Sequence, residues 1–303
     1  MMRNVMIHGL LVAVLVGLSG CQTLTDVGAD IGEASGTLTP EEAAAIRRTG
    51  SSVAKSFADI TPEQEYYIGR SVAATIFARY APLNDEGANR YLNILGSVLS
   101  QLSKTPETFA GYHFQILDSD EVNAFAAPGG LILVTRGMLK CCRSEDALAA
   151  VLAHEIGHIE GRHGLRAIKQ GRLTSALTVL AVESAKHLGS EDLAALTQEF
   201  EGSVSDVTST LMTSGYSRGL EKQADAAAVG ILVRAGYDPN ALVDMLQEMN
   251  KRVHAGSGGF GKTHPPPGDR IADVRKRIGR AQVHATVIPA RQARFAQNIG
   301  RLQ

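Results

Sequence analysis

The sequence predicts an α+β fold, mostly helical, with a small sheet of three to four strands packed beside one helix. Three observations point there. Apolar residues recur at helical spacing through most of residues 61–281. One stretch, residues 112–135, changes to short extended runs punctuated by Pro128-Gly129-Gly130. An apolar, Ala-rich helical run surrounds His154-Glu155-Ile156-Gly157-His158.

Composition narrows the class. The chain has 303 residues, 44% hydrophobic and 20% charged, which is the globular range. With 5% aromatic residues and no Trp, the core rests on Ala, Leu, Ile and Val. A net charge of −1 gives no electrostatic footprint for nucleic acid. The basic residues between Arg270 and Arg280 fit a solvated helix face.

The N-terminus reads as a targeting segment. Arg3 precedes the apolar run Val5 to Leu18, which suits a secretory signal and is short for a membrane span. The run ends in Leu18-Ser19-Gly20-Cys21, which resembles a bacterial lipobox. That resemblance implies cleavage before Cys21 and lipidation of its thiol. Gln22 in the next position, rather than Asp, favours the outer membrane under the sorting rule of enteric bacteria. An ordinary signal peptide with a chance cysteine is the alternative. Cys141 and Cys142 are adjacent, about 3.8 Å apart at Cα, and a bridge between them would be strained. They are expected as packed, reduced residues.

These features divide the chain into a signal peptide over 1–20, a Gly-, Ser- and Thr-rich tether over 21–60, a folded domain over 61–281 and a tail over 282–303. Within the domain, Thr61-Pro62-Glu63 opens the first helix: Thr as N-cap, Pro in the first turn, acid near the positive end. A second helix runs from about Glu86 to Ser103 on Leu92, Leu95, Val98, Leu99 and Leu102. Tyr112 to Leu117, Val122 to Ala126 and Leu131 to Thr135 are the strands. Ser144-Glu145-Asp146 caps the helix that carries the histidines. Residues 163–188 are expected to be helical, with the apolar stretch Leu173 to Val182 as core or lid, and 190–214 are ambiguous. Further helices run from Arg218 to Ala235, from Pro239 to about Arg252 and from Gly268 to Ala281.

His154 and His158 lie four apart, so on a helix they share a face and can hold one metal ion. Glu155 projects beside that ion, where it can take a proton from water. A catalytic zinc site needs a third protein ligand and an open position. Glu221, in Glu221-Lys222-Gln223-Ala224-Asp225, is the candidate. Asp225, on the same side of that helix, can accept the spare ring N–H of a ligand histidine. The competing reading is an exposed acid pair. His163 reads as structural, hydrogen-bonded near the metal helix. His113, His187, His254 and His284 have no partner at ligand spacing.

The run Glu145 to His163 resembles the zinc metallopeptidase family of the CAAX prenyl protease, HtpX and BepA-like periplasmic proteases, of the gluzincin type. Other segments agree. They are Asn123-Ala124-Phe125-Ala126 with Pro128-Gly129-Gly130, Ser217-Arg218 with Glu221 and Asp225, and Thr263-His264-Pro265 with Asp269-Arg270-Ile271. The resemblance covers about residues 61–281 and implies a zincin-like protease domain. It assigns zinc to His154, His158 and Glu221, and catalysis to Glu155. His264, Tyr216 and Arg218 are candidate oxyanion donors, and His264 is alternatively a further zinc ligand in a resting state. Asn123, Ala124, Phe125 and Ala126 are expected to form the sheet edge that pairs with substrate backbone.

The resemblance thus implies an endopeptidase with one zinc per chain. Its lipid anchor at Cys21 would hold it to the outer membrane, facing the periplasm. Its substrates would be unfolded or misassembled envelope proteins. Some BepA-like members carry a tetratricopeptide array after the protease domain; the short stretch after residue 281 leads us to expect none here. Two other readings stay open: a non-proteolytic chaperone or assembly factor on the same fold, and a latent protease gated by the loop around His264.

Overall fold

The computed structural model describes residues 60–168, 201–253, 264, 267–281 and 288–302. The first helix, α1 (Pro62–Arg79), begins at a capping box. Thr61 Oγ1 accepts from the Gln64 amide at 3.2 Å, and Gln64 Oε1 accepts from the Thr61 amide at 2.9 Å. Its Ile68, Val72 and Ile76 are buried. Asp85 caps α2 (Glu86–Gln101), which packs Leu92, Leu95 and Leu99 inward. Val98, expected on the apolar face, is 50% exposed, because it lies one turn beyond the outward-facing Ile94.

Three strands follow, β1 (His113–Leu117), β2 (Ala124–Ala127) and β3 (Leu131–Thr135), in the order β1-β3-β2. β1 runs parallel to β3 with His113 opposite Leu131, and β2 runs antiparallel to β3 with Ala124 opposite Val134. The β2–β3 turn uses Gly129 and Gly130 at φ 79° and 100°, the left-handed region that favours glycine.

The outer edge of β1 is closed by side chains of α2. Asn93 accepts from the Phe114 amide at 3.0 Å and donates to its carbonyl at 2.6 Å, while Asn89 accepts from the Ile116 amide at 2.9 Å. Two asparagines one helical turn apart match two strand residues on the same edge, and so replace a fourth strand. β2 is the other edge of the sheet.

A short helix, α3 (Arg136–Leu139), leads to α4 (Glu145–Glu160), capped by Ser144. Almost every residue of α4 is buried, as expected of a helix that is apolar all round. Its Ala-rich sequence lets neighbours approach closely from several sides. The helix predicted from residue 163 appears as the short α5 (His163–Arg166); its continuation, Leu173 to Val182 and His187 lie outside the described residues. In the segment read as ambiguous, residues 201–209 are helical and Thr210–Ser214 form a π-helical turn. Cys21, the tether as far as residue 59, His254 and His284 also lie outside the described residues.

Three helices follow. α6 (Arg218–Arg234, N-cap Ser217) and α7 (Asn240–Val253) pack against α4, and α8 (Pro267–Ala281) packs against α6 and α7. The tail from Gln282 carries no clear pattern in the sequence, yet α9 (Pro289–Ile299) brings Phe295 and Ile299 into the same core. Arg294 of α9 grips the buried Glu145 at the start of α4 through Nε at 3.0 Å and Nη2 at 2.5 Å. Tyr91 and Tyr237 donate their hydroxyls to the same carboxylate, each at 2.9 Å. A buried charge with four hydrogen bonds from three elements fixes the position of α4 within the domain. Cys141 and Cys142 are buried and unbridged. Among the described residues no helix is long and apolar enough to cross a membrane.

Candidate metal centre

His154 and His158 project from the same side of α4, their rings 4.7 Å apart between centroids and 82° between planes. Their Nε2 atoms are 3.1 Å apart. Glu221, in the first turn of α6, faces them. Its Oε2 lies 3.5 Å from His154 Nε2 and its Oε1 lies 3.6 Å from His158 Nε2. His264 completes the group, with Nδ1 2.7 Å from Glu221 Oε1. One donor atom from each of these four buried residues falls within 4.8 Å of all the others.

The two helices can come this close because of Gly157, between the histidines. A Cβ at that position would lie 2.8 Å from the Ala224 carbonyl oxygen and 3.1 Å from its Cα. The backbone of α6 occupies the space where a side chain would be. Glu221 lies one turn before Ala224, so this crossing carries its carboxylate to the histidines.

The group fits a metal ion. The facing Nε2 lone pairs of His154 and His158 need a proton or a cation between them, and Glu221 Oε2 accepts no hydrogen bond. Burial and the Arg270 charge pull the His154 pKa down, but the Asp225 and Glu221 carboxylates outweigh them and lift it to about 9. The two carboxylates thus favour a positive charge at this position, which a bound cation would supply. Two imidazoles and a carboxylate form a donor set suited to zinc. His158 goes the other way: burial holds its pKa well below the usual imidazole range.

Asp225 lies one turn after Glu221, and its Oδ1 is 3.1 Å from His154 Nδ1. The same carboxylate receives Arg270 Nε at 3.0 Å and Nη2 at 2.6 Å. Burial would raise the Asp225 pKa; Arg270 and His154 overcome this and hold it at about 2. Arg270 corrects the reading of a wholly solvated basic face. It is 4% exposed and also pairs with Glu221 through Nη1 at 3.1 Å, while Arg275, Lys276 and Arg277 of the same helix remain exposed. Its motif, Asp269-Arg270-Ile271, was visible in the sequence, but the partners that bury it were not.

Glu155 is buried, its Oε1 has no partner among the described residues, and burial raises its pKa. Tyr216 stacks on the His158 ring at 4.3 Å and 21°, and its buried hydroxyl has no partner among the described residues. Arg218 is exposed on the first turn of α6. Asn123, Ala124, Phe125 and Ala126 are buried at the β2 edge. His163 is buried against the metal helix, and burial lowers its pKa to about 4. His113 is exposed, bonded to the Ala110 carbonyl at 2.9 Å.

Comparison with known proteins agrees with this geometry. The sequence model for "Peptidase family M48" matches residues 87–278. The chain is 28% identical over 231 residues to the beta-barrel assembly-enhancing protease of Yersinia pestis, covering 76% of this chain and 47% of that protein. It is 31% identical over 210 residues to the protein of the same name from Escherichia coli strain K12, covering 66% and 41%. The metalloprotease LoiP of that strain is 25% identical over 201 residues, covering 66% and 74%. The chain thus spans less than half the length of the first two relatives.

Proposed function

The chain belongs to peptidase family M48, and from that premise we propose that it is a zinc-dependent endopeptidase of the bacterial cell envelope with one zinc ion per chain. The observation that carries this reading is the buried convergence of His154, His158 and Glu221 beside Glu155, whose Oε1 has no hydrogen-bond partner among the described residues. His154, His158 and Glu221 would hold the ion. Bound zinc supplies Lewis acidity toward a water and toward a peptide carbonyl. Glu155 takes the proton of the attacking water and returns it to the leaving amine. Asp225 holds the His154 ring through Nδ1, so that Nε2 faces Glu221.

Tyr216 is the best placed of the three candidate oxyanion donors. Its hydroxyl is buried without a partner, whereas His264 is engaged with Glu221 and Arg218 lies at the surface. The β2 edge supports recognition of extended backbone. The Asn123 carbonyl accepts from the Thr135 amide at 3.1 Å, so antiparallel alternation turns the backbone groups of Ala126 away from β3. A strand bound there is read through its main chain, which favours unfolded or misassembled proteins. The names of the Yersinia and Escherichia relatives support substrates among proteins connected with β-barrel assembly. The signal-like run before Cys21 supports a lipid anchor at the outer membrane with the domain in the periplasm.

A second reading, latency, rests on His264. It lies within the ligand group and its ring is 5.6 Å from that of His154. A fourth protein ligand would close the position that water needs.

One experiment tests both readings. Zinc content and casein cleavage are measured for the purified full chain, its Glu155→Gln variant and its His264→Ala variant. About one zinc per chain is expected, with cleavage reduced about 10²- to 10⁴-fold in Glu155→Gln and zinc retained. Equal cleavage by wild type and Glu155→Gln overturns the mechanism. A gain in His264→Ala establishes gating, and a loss rejects it.

A further inference from the structure

His154 and His158 are held from behind by different groups. His154 has the Asp225 carboxylate at Nδ1. Among the described residues no carboxylate lies beside His158 Nδ1; this atom is 3.0 Å from Nδ1 of another imidazole, His163. His163 Nε2 in turn lies 3.3 Å from Gln223 Oε1, which also accepts from Arg166 Nη1 at 3.1 Å.

The chemistry of this chain of contacts has one self-consistent assignment for neutral rings. Gln223 Oε1 is an acceptor only, so His163 Nε2 carries the hydrogen that reaches it. His163 Nδ1 is then bare and accepts from His158 Nδ1–H. That leaves His158 Nε2 as a free lone pair, and it is the atom facing His154 Nε2 and Glu221. A metal ion requires this tautomer of a ligand histidine.

The backbone is bent to produce this contact. Arg162, immediately before His163, is the non-glycine residue with positive φ among the described residues, at 50°. That conformation is costly for a side chain longer than Asn or Asp. It is held by bonds from Arg162 Nε to Glu65 Oε2 at 3.0 Å and from Nη2 to the Ile60 carbonyl at 2.9 Å. The turn folds His163 back against the end of α4. A Cβ on Gly161 would lie 2.1 Å from His163 Nε2, so the imidazole occupies the space that a side chain there would need.

We propose that His163 is a positioning residue of the metal centre, accepting the Nδ1–H of His158 and thereby presenting His158 Nε2 to the ion, with Gln223 fixing the tautomer of His163. This deepens the zinc reading above and rests on it. It also gives a purpose to the strained turn at Arg162, which the catalytic group itself does not explain.

The test is zinc affinity, measured by chelator competition on the full chain, which does not depend on cleavage. His163→Ala is expected to weaken zinc about 10- to 100-fold, the usual cost of losing such a partner. His163→Asn places an acceptor oxygen near the position of Nδ1 and should recover most of that loss. Gln223 is exposed, so Gln223→Ala tolerates removal of its side chain even if His163→Ala does not fold, and it should weaken zinc in the same direction. Wild-type affinity in His163→Ala or in Gln223→Ala overturns the proposal, as does an equal loss in the Ala and Asn variants of His163. Absence of zinc from the wild-type chain overturns the metal reading itself, and this inference with it.

Discussion

Gly157 of α4 lies against the backbone of Ala224 of α6, where an added methyl would come within 2.8 Å of a carbonyl oxygen. Glycine in mid-helix costs roughly 1 kcal/mol relative to alanine, yet here alanine is the worse residue. The obstacle is helix backbone, which cannot swing aside as a side chain does. Gly157→Ala should therefore separate the two helices and withdraw Glu221 from the histidines. The expected result is a loss of about 1–3 kcal/mol in stability and weakened zinc binding, read by denaturant unfolding and metal analysis. A variant as stable as wild type with full zinc content would show that the crossing is not a constraint.

Arg270 is the buried counter-charge for both Glu221 and Asp225. Its removal leaves two carboxylates in a dry site. Arg270→Met is expected to destabilise the chain by about 3–5 kcal/mol, and more strongly after the metal is chelated. Arg270→Lys should not restore stability, because an ammonium cannot match the two-pronged contact at 3.0 and 2.6 Å with Asp225. Denaturant unfolding with and without chelator checks both points. A Lys variant as stable as wild type would reduce Arg270 to a point charge.

Asn89 and Asn93 stand in for a strand at the β1 edge. Asn93→Leu leaves the Phe114 amide and carbonyl without their side-chain partner, and each unsatisfied buried group costs about 1–3 kcal/mol. A loss of that size, with faster hydrogen exchange at Phe114 and Ile116 in the Asn89/Asn93 double variant, is expected. Unchanged exchange would mean that a neighbouring chain segment replaces the asparagine amides.

Asp85 caps α2 and meets Arg301 at the far end of the chain, with Arg301 Nε 2.9 Å from Oδ2. The Arg301 guanidinium and the helix amides hold its pKa below the usual carboxylate value. The folded state thus binds the proton less readily than the unfolded chain. The resulting stability is present above pH ~4 and is lost as the pH falls through the lower folded pKa. Asp85→Asn keeps the capping oxygen and removes only the charge. At neutral pH it should cost less than about 1 kcal/mol, and the difference from wild type should shrink below pH ~4 and vanish once the pH is below the lowered folded pKa. A difference that persists there would assign the effect to packing.

Much of the fold is local and was legible as such. The caps at Thr61 and Ser144, the extent of β3 and the shared face of His154 and His158 depend on residues within a few positions of each other. The β1 and β2 boundaries moved by one or two residues, since strand ends are set by the partner strand. Glu221 and Asp225 were legible through helical spacing combined with the family resemblance.

Helical periodicity converts spacing directly into geometry, so residue order alone puts His154 and His158 on one helix face and Glu221 and Asp225 on another. Tertiary structure alone decided which distant groups meet them. Arg270 reaches Asp225 across 45 positions and Glu145 meets Arg294 across 149. His163 is near His158 in sequence, but its ring reaches His158 Nδ1 only through the left-handed turn at Arg162, whose supports lie about 100 residues upstream. Charge and hydrogen-bonding capacity can be read from a residue's identity. Burial and choice of partner belong to the packed chain, where each depends on what every neighbouring element has already filled.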